Sequence, residues 1–160
     1  MKLHVLAIGR LKAGPELALF DDYLKRARGL GRSCGVTDIG SRDFAESKLP
    51  DAKSRMVAEA ALLAGAMPDP CFRVVLDEHG KALGSDDFAL LFKRHLDQGT
   101  ASLVFLIGGP DGHAPQIRQS ANLLLSFGPM TWPHRLARVM LAEQIYRAVT
   151  ILVKHPYHRA

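Results

Sequence analysis

The segment His155-Pro156-Tyr157-His158-Arg159 sets two imidazoles, a phenol and a guanidinium within five residues. Imidazoles exchange protons near neutral pH. Aromatic rings stack on nucleobases, and a guanidinium pairs with phosphate. Such a tail can handle a proton on a nucleic-acid substrate. Its bland alternative is a frayed end. A second candidate is Gly108-Gly109-Pro110-Asp111-Gly112, between an apolar run and a helical one. Paired glycines let main chain approach a ligand, and proline stiffens the loop. A tight turn without a ligand fits equally well. The pattern is neither a dinucleotide fingerprint nor a phosphate loop. A third candidate is Ser126 to His134, where Pro129 and Pro133 flank Met130-Thr131-Trp132. The single tryptophan there faces a ligand or packs beneath its own loop. Glu143 and Arg147 stand at i, i+4, so Arg147 either pairs within the helix or faces a substrate.

Five strand-like runs and intervening helical stretches must position these segments. The first strand is expected over Lys2 to Ile8, followed by a helix from Pro15 to Leu30. A weaker strand is expected over Gly35 to Ile39, and a helix from Pro50 to about Ala66. The third strand is Phe72 to Asp77, with Glu78 to Lys81 as its turn. Ser85 is expected to cap the next helix. A fourth strand, Ser102 to Ile107, runs into the glycine loop. A fifth, Leu123 to Phe127, runs into the Trp132 loop, and a last helix spans about His134 to Val153. Strands three to five are apolar on both faces. The expected class is therefore α/β, a parallel sheet flanked by helices, as one domain over residues 1–160. In the last helix Leu136, Val139, Met140, Leu141, Ile145 and Val149 cover most of the circumference. Burial on more than one side follows, against a second copy of the chain or in the centre of one protomer.

Composition narrows the classes. Hydrophobic residues make up 48% and charged residues 23%, which excludes a disordered chain. The longest apolar run, Leu103 to Ile107, is far too short for a membrane span. The apolar N-terminus reads as a strand and not as a signal peptide. Cys34 and Cys71 lack metal-ligand spacing, so neither a metal nor a disulfide is expected, which suits a cytoplasmic protein. Net charge is +5. From Trp132 onward five basic residues face one acid, so an anionic partner is expected at the C-terminal end.

Five segments together carry a resemblance. They are Leu76-Asp77-Glu78-His79-Gly80-Lys81, Ile107 to Gly112, Met130-Thr131-Trp132-Pro133-His134, Glu143-Gln144-Ile145-Tyr146-Arg147-Ala148, and His155 to Arg159. In this order, and over essentially the whole chain, they resemble the RlmH family of SPOUT methyltransferases. The resemblance implies a C-terminal trefoil knot, a homodimer, and S-adenosylmethionine as methyl donor. It implies an acceptor at N3 of a pseudouridine in large-subunit (23S) ribosomal RNA. A chain of 160 residues with no separate RNA-binding domain is expected to act on a large preformed target, the assembled ribosome. Carried onto this chain, the cofactor loops are Leu76, Gly108 and Gly109, and Phe127, Gly128, Pro129, Met130, Thr131 and Trp132. Similar proteins usually have polar residues where this chain has Gly128-Pro129, so side-chain contacts there are not carried over. His155, Tyr157 and His158 would handle the imide proton, reaching the partner subunit's site, and Arg147 and Arg159 would hold RNA. Two other readings are a catalytically silent ribosome-associated RNA-binding dimer and a flavodoxin-like nucleotide binder. Affinity for the methyl donor separates the first from an enzyme. Gly9-Arg10-Leu11-Lys12 is a poor phosphate loop for the second.

Overall fold

The computed structural model describes residues 1–158. Eleven-residue or shorter strands alternate with helices: β1 (Lys2–Ile8), α1 (Pro15–Gly31), β2 (Asp38–Phe44), α2 (Ala52–Ala66), β3 (Phe72–Ala82), α3 (Ser85–Asp97), β4 (Ser102–Ile107), α4 (Pro115–Gln119), β5 (Leu123–Ser126) and α5 (His134–Leu152). The five strands form one sheet in the order β2-β1-β4-β3-β5, and every pairing is parallel.

The alternation of side chains along each strand divides the core in two. Leu3, Val5 and Ala7 of β1, with Leu103, Phe105 and Ile107 of β4, point to the side covered by α1, α3 and α5. Leu6 and Ile8, with Val104 and Leu106, point to the side covered by α2 and α4. All six residues of β4 are buried, which is why that strand reads as a continuous apolar run.

The second strand lies later than Gly35 to Ile39. Gly35 has φ 93° and closes a 3-10 turn over Arg32–Cys34, so pairing begins at Asp38. β2 is an edge strand whose Ser41, Arg42 and Asp43 are exposed, and an exposed edge leaves no apolar signature. The third strand runs past Asp77. Leu125 of β5 aligns with both Leu76 and Lys81, so Asp77 to Gly80 are extruded from the ladder at its C-terminal end. Gly84 takes the cap position expected of Ser85, whose hydroxyl instead donates to Gln144 Oε1 at 2.8 Å. The circumference of α5 is accounted for in large part within the protomer. Leu141, Ile145 and Val149 are fully buried, while Leu136 stays open to solvent and Met140 is half-buried.

Gly80 is the tightest point of the sheet. A Cβ there would stand 2.6–2.7 Å from the Leu124 carbonyl group and the Leu125 nitrogen. Main chain cannot step aside as a flexible side chain can. Gly80→Ala is expected to lower stability by about 1–3 kcal/mol, as overpacking does. Urea unfolding monitored by circular dichroism measures it, and an unchanged midpoint would contradict this account of the extruded segment.

Candidate functional site

Ligands of open α/β sheets bind beyond the carboxyl ends of the strands. At that end of β3, β4 and β5 lies a cleft of about 380 Å³. Three segments build it: Leu76 to His79, Ile107 to His113, and Leu125 to His134. Leu76, Gly108, Gly109, Phe127, Gly128, Met130, Thr131 and Trp132 all line it, whereas Pro129 is not among its lining residues.

The glycine loop is braced by the protein itself. Gly112 donates to the Gly109 carbonyl at 2.9 Å. A Cβ on Gly108 would stand 2.9 Å from the carbonyl carbon and oxygen of Gly112. A Cβ on Gly109 would meet Glu59 Oε2 at 2.9 Å and Ile8 Cγ2 at 3.1 Å. The two glycines are thus required by loop closure and by packing on α2, before any ligand is considered. From outside, Arg55 holds Asp111 through two hydrogen bonds of 2.7 and 3.1 Å and also donates to the Leu49 and Pro50 carbonyls.

The third segment is held by Ser126. Its hydroxyl donates to the Glu78 carbonyl at 3.2 Å and accepts from the Gly128 N–H at 3.1 Å. Gly128 has φ 101°, a left-handed conformation that favours glycine and accounts for its presence there. Trp132 Nε1 donates to the Phe127 carbonyl at 3.4 Å, yet the residue remains 38% exposed, and Met130 is 70% exposed. Both stand at the mouth of the cleft and not beneath the loop.

Residues 155–158 of the tail do not line this cleft. Tyr157 packs on Tyr146 with ring centroids 4.7 Å apart, and its hydroxyl donates to Glu143 Oε1 at 3.0 Å. Burial, with hydrogen bonds to Tyr23 and Glu143, raises the Tyr157 pKa above its ordinary value, so the phenol keeps its proton. His155 Nδ1 accepts from the Tyr157 N–H at 3.2 Å, and His158 Nε2 lies 3.3 Å from Asp86 Oδ1. Arg147 donates twice to Glu143 Oε1, at 2.9 and 2.6 Å, and lies over the Tyr157 ring. Within one protomer, then, His155, Tyr157, His158 and Arg147 gather on the α5 side, apart from the cleft. Arg159 lies outside the described residues.

A family model described as "Predicted SPOUT methyltransferase" matches residues 1–158. The chain belongs to that family. It is 48% identical over 160 residues, the full length of both chains, to the ribosomal RNA large subunit methyltransferase H of Rhodopseudomonas palustris. It is 46% identical, again over both full lengths, to the protein of the same name from Bradyrhizobium diazoefficiens. Among solved structures it resembles a probable methyltransferase from Bordetella pertussis Tohama I, with TM-score 0.50, 16% identity, and 92% and 95% of the two chains covered. A probable methylase family protein from Haemophilus influenzae Rd KW20 also has TM-score 0.50, at 10% identity, covering 95% of this chain and 66% of its own. These two likenesses concern the fold.

The cleft of this SPOUT methyltransferase contains polar residues that sequence reasoning passed over. Asp77, on the extruded segment, is held by Arg118 Nε at 2.9 Å and accepts from the His79 N–H at 2.9 Å. His113 follows Gly112 directly and lines the cleft; burial lowers its pKa to about 4. Position beside a glycine loop was the available signal for His113, as adjacency to Leu76 was for Asp77. Arg138 is buried and donates to the Ile8 and Gly9 carbonyls, tying the first turns of α5 to the end of β1. Nothing in a helical run distinguishes such an arginine from a solvated one. Among the described residues no group of three or more His, Cys, Asp or Glu could hold a metal, and no helix is long and apolar enough to cross a membrane.

Burial depresses the pKa of His4 and His95 as well as that of His113. An unfolded chain takes up protons on these imidazoles below about pH 6.5, where the folded protein does not. Stability contributed by the neutral rings is therefore complete above that pH and is lost as pH falls toward 4. His113→Leu removes one such group. Chemical unfolding between pH 7 and 4 should show the variant losing less stability than the wild type, by at most about 3 kcal/mol. Parallel pH profiles would refute the buried neutral state of His113.

Proposed function

We propose that this SPOUT methyltransferase transfers the methyl group of S-adenosylmethionine to N3 of a pseudouridine in 23S ribosomal RNA, on the assembled ribosome in the cytoplasm. The observation that carries the reading is the convergence of three strand-end segments on one cleft, at the positions the family resemblance assigns to the cofactor. The full-length relatives, named for methylation of large-subunit ribosomal RNA, support the substrate.

The residues present suit the donor. A cleft of about 380 Å³ is within the usual range for a small-molecule site. Leu76, Ile107, Leu125 and Phe127 offer apolar wall to a nucleoside, and the Asp77 carboxylate offers a counter-charge to a cation. When bound, S-adenosylmethionine supplies an activated methyl group on a sulfonium. The protein aligns donor and acceptor and excludes water. An imide nitrogen must give up its proton to a group near the methyl. We assign proton handling and base stacking to His155, Tyr157 and His158 of a second subunit. Tyr157, holding its proton, serves as a hydrogen-bond donor, which leaves the two imidazoles as acceptors. Arg147 and Arg159 are assigned to RNA, with Arg147 first released from Glu143.

This arrangement calls for a homodimer. Its support is a second cavity, of about 540 Å³, on the α1, α3 and α5 side. Leu19, Tyr23, Phe88, Phe127, Val139 and Met140 make it apolar, and the exposed Leu136 extends the same helix face. On the same reading the C-terminal part of the chain is knotted, and residues 1–160 act as one domain.

Four measurements test the proposal. Mass spectrometry of ribosomal RNA from cells with and without the gene should show one methylated pseudouridine gained or lost. Gly108→Val drives a branched side chain into the Gly112 main chain, so calorimetric affinity for S-adenosylmethionine should fall at least about tenfold; full affinity would remove the glycine loop from the pocket. Met140→Asp places a carboxylate on the apolar face, and sedimentation should show it shifting a wild-type dimer toward monomer. A wild type that sediments as an active monomer overturns the shared site. In the same preparations, Tyr157→Phe should retain cofactor affinity and lose methyl transfer to unmethylated ribosomes by about tenfold or more.

A further inference from the structure

We propose that Arg10, Lys12 and Arg135 form a docking rim for RNA backbone, holding phosphates beside the target nucleotide as its base enters the cleft of the same protomer. The proposal rests on the reading of the protein as an RNA methyltransferase. It adds a contact surface to the cleft side, whereas Arg147 stands on the α5 side of its protomer.

Topology brings the three cations to one place. All strand pairings are parallel, so the segment after β1 emerges at the same edge of the sheet as the loops of the cleft. β1 pairs with β4, whose loop is the glycine wall of the cleft. A Cβ on Gly109 would meet Ile8 Cγ2 at 3.1 Å, so the end of β1 abuts that wall. Buried Arg138 donates to the Ile8 and Gly9 carbonyls and fixes the first turns of α5 to the same point. His134 and Ala137, from those turns, line the cleft. Arg10 and Lys12 follow β1, and Arg135 opens α5. All three are exposed and none lines the cleft itself, which places them around its mouth.

The carboxylates of this edge are turned elsewhere. Asp43 accepts from the Leu11 N–H at 3.1 Å and lies 3.6 Å from Arg138. Glu46 also faces Arg138: a Cβ on Gly9 would meet Glu46 Oε1 at 2.9 Å and Arg138 Nη2 at 3.6 Å. Glu16 stands in the first turn of α1, where the helix N-terminus favours its charge. Other arginines near the cleft are engaged within the protein, Arg55 by Asp111 and Arg118 by Asp77. Among the described residues no such ion pair holds Arg10, Lys12 or Arg135.

The chemistry of the rim selects its partner. Solvated cations gain from a polyanion, because each phosphate they neutralise releases a counterion. Residues 9–14 contain no aromatic ring, so they suit phosphate contact and not base stacking. Phosphate contacts set the register of a strand without reading its bases. Recognition of the target base then falls to the cleft, and the rim supplies affinity.

Binding of the full-length protein to unmethylated ribosomes across a salt series tests this. Replacing Arg10, Lys12 and Arg135 together by glutamine should lower affinity on the order of a hundredfold at about 0.1 M salt, and the log–log salt slope by about 2 to 3. Each single variant should reduce the slope by about 1. KM for ribosomes should rise while kcat at saturation stays within about twofold, the signature of a contact equal in ground and transition states. Calorimetric affinity for S-adenosylmethionine should not change. The control is the triple variant Lys2→Gln, Arg32→Gln, Arg94→Gln, which removes exposed cations from the opposite edge of the sheet and should leave the slope as it is. Ultraviolet cross-linking of the wild type to ribosomes, read by mass spectrometry, should put nucleotide adducts on residues 9–14, and it decides even where a variant fails to fold. An unchanged slope in an active rim variant, or an equal loss in the control, would overturn the rim alone. Adducts absent from that segment, or formed there with a ribosomal protein, would overturn RNA as its partner. A wild type that neither binds nor methylates ribosomes would overturn the substrate reading and the rim with it.

Discussion

Main chain packed against main chain at the carboxyl end of the sheet governs the rest of this molecule. At Gly80 the space for a side chain is filled by the Leu124 and Leu125 backbone, and at Gly108 by the backbone of Gly112. Such contacts have no rotamers to relax, so their geometry is rigid. They force Asp77 to Gly80 out of the ladder and close the glycine loop on itself. The cleft is what remains between these two features and the loop that follows β5. The concavity is thus a product of folding and does not depend on a ligand to shape it.

Charged groups secure the same arrangement from two directions. Arg55 grips Asp111 from α2, and Arg138 grips the end of β1 from α5. Glu143 gathers Arg147, Tyr157 and Gln144 on the other side of the protomer. A folded chain therefore presents two separate polar assemblies, one within the cleft and one on the α5 face. That separation explains why His155, Tyr157 and His158, so suggestive in sequence, find no place in the cleft of their own subunit.

Much of this was legible beforehand. β1 and β4 carry period-two or fully apolar patterns because both faces of their sheet are covered, and their limits coincide with expectation. The loops that build the cleft were visible as glycine and proline clusters at strand ends. β2 was misplaced because an edge strand with Ser41, Arg42 and Asp43 facing solvent has no apolar signature to find. The extension of β3 was missed because Glu78-His79-Gly80-Lys81 has turn composition, while its pairing is imposed by β5. Glu59, His113 and Arg138 were passed over for one reason: a buried polar residue is recognised only by its neighbours, and those are distant in sequence. The expectations of a methyl donor, an acceptor and a knot came from the resemblance to a family, and periodicity could have suggested none of them.

The chain contains one tryptophan, and Trp132 stands half-exposed at the rim of the cleft. All indole emission from this protein thus originates at a single point beside the loops of the cleft. Its wavelength and its accessibility to a soluble quencher register the local polarity of that rim alone, undiluted by a second indole. The fold has, in effect, a native optical probe whose signal changes when the rim is covered and stays constant when events occur on the far side of the sheet.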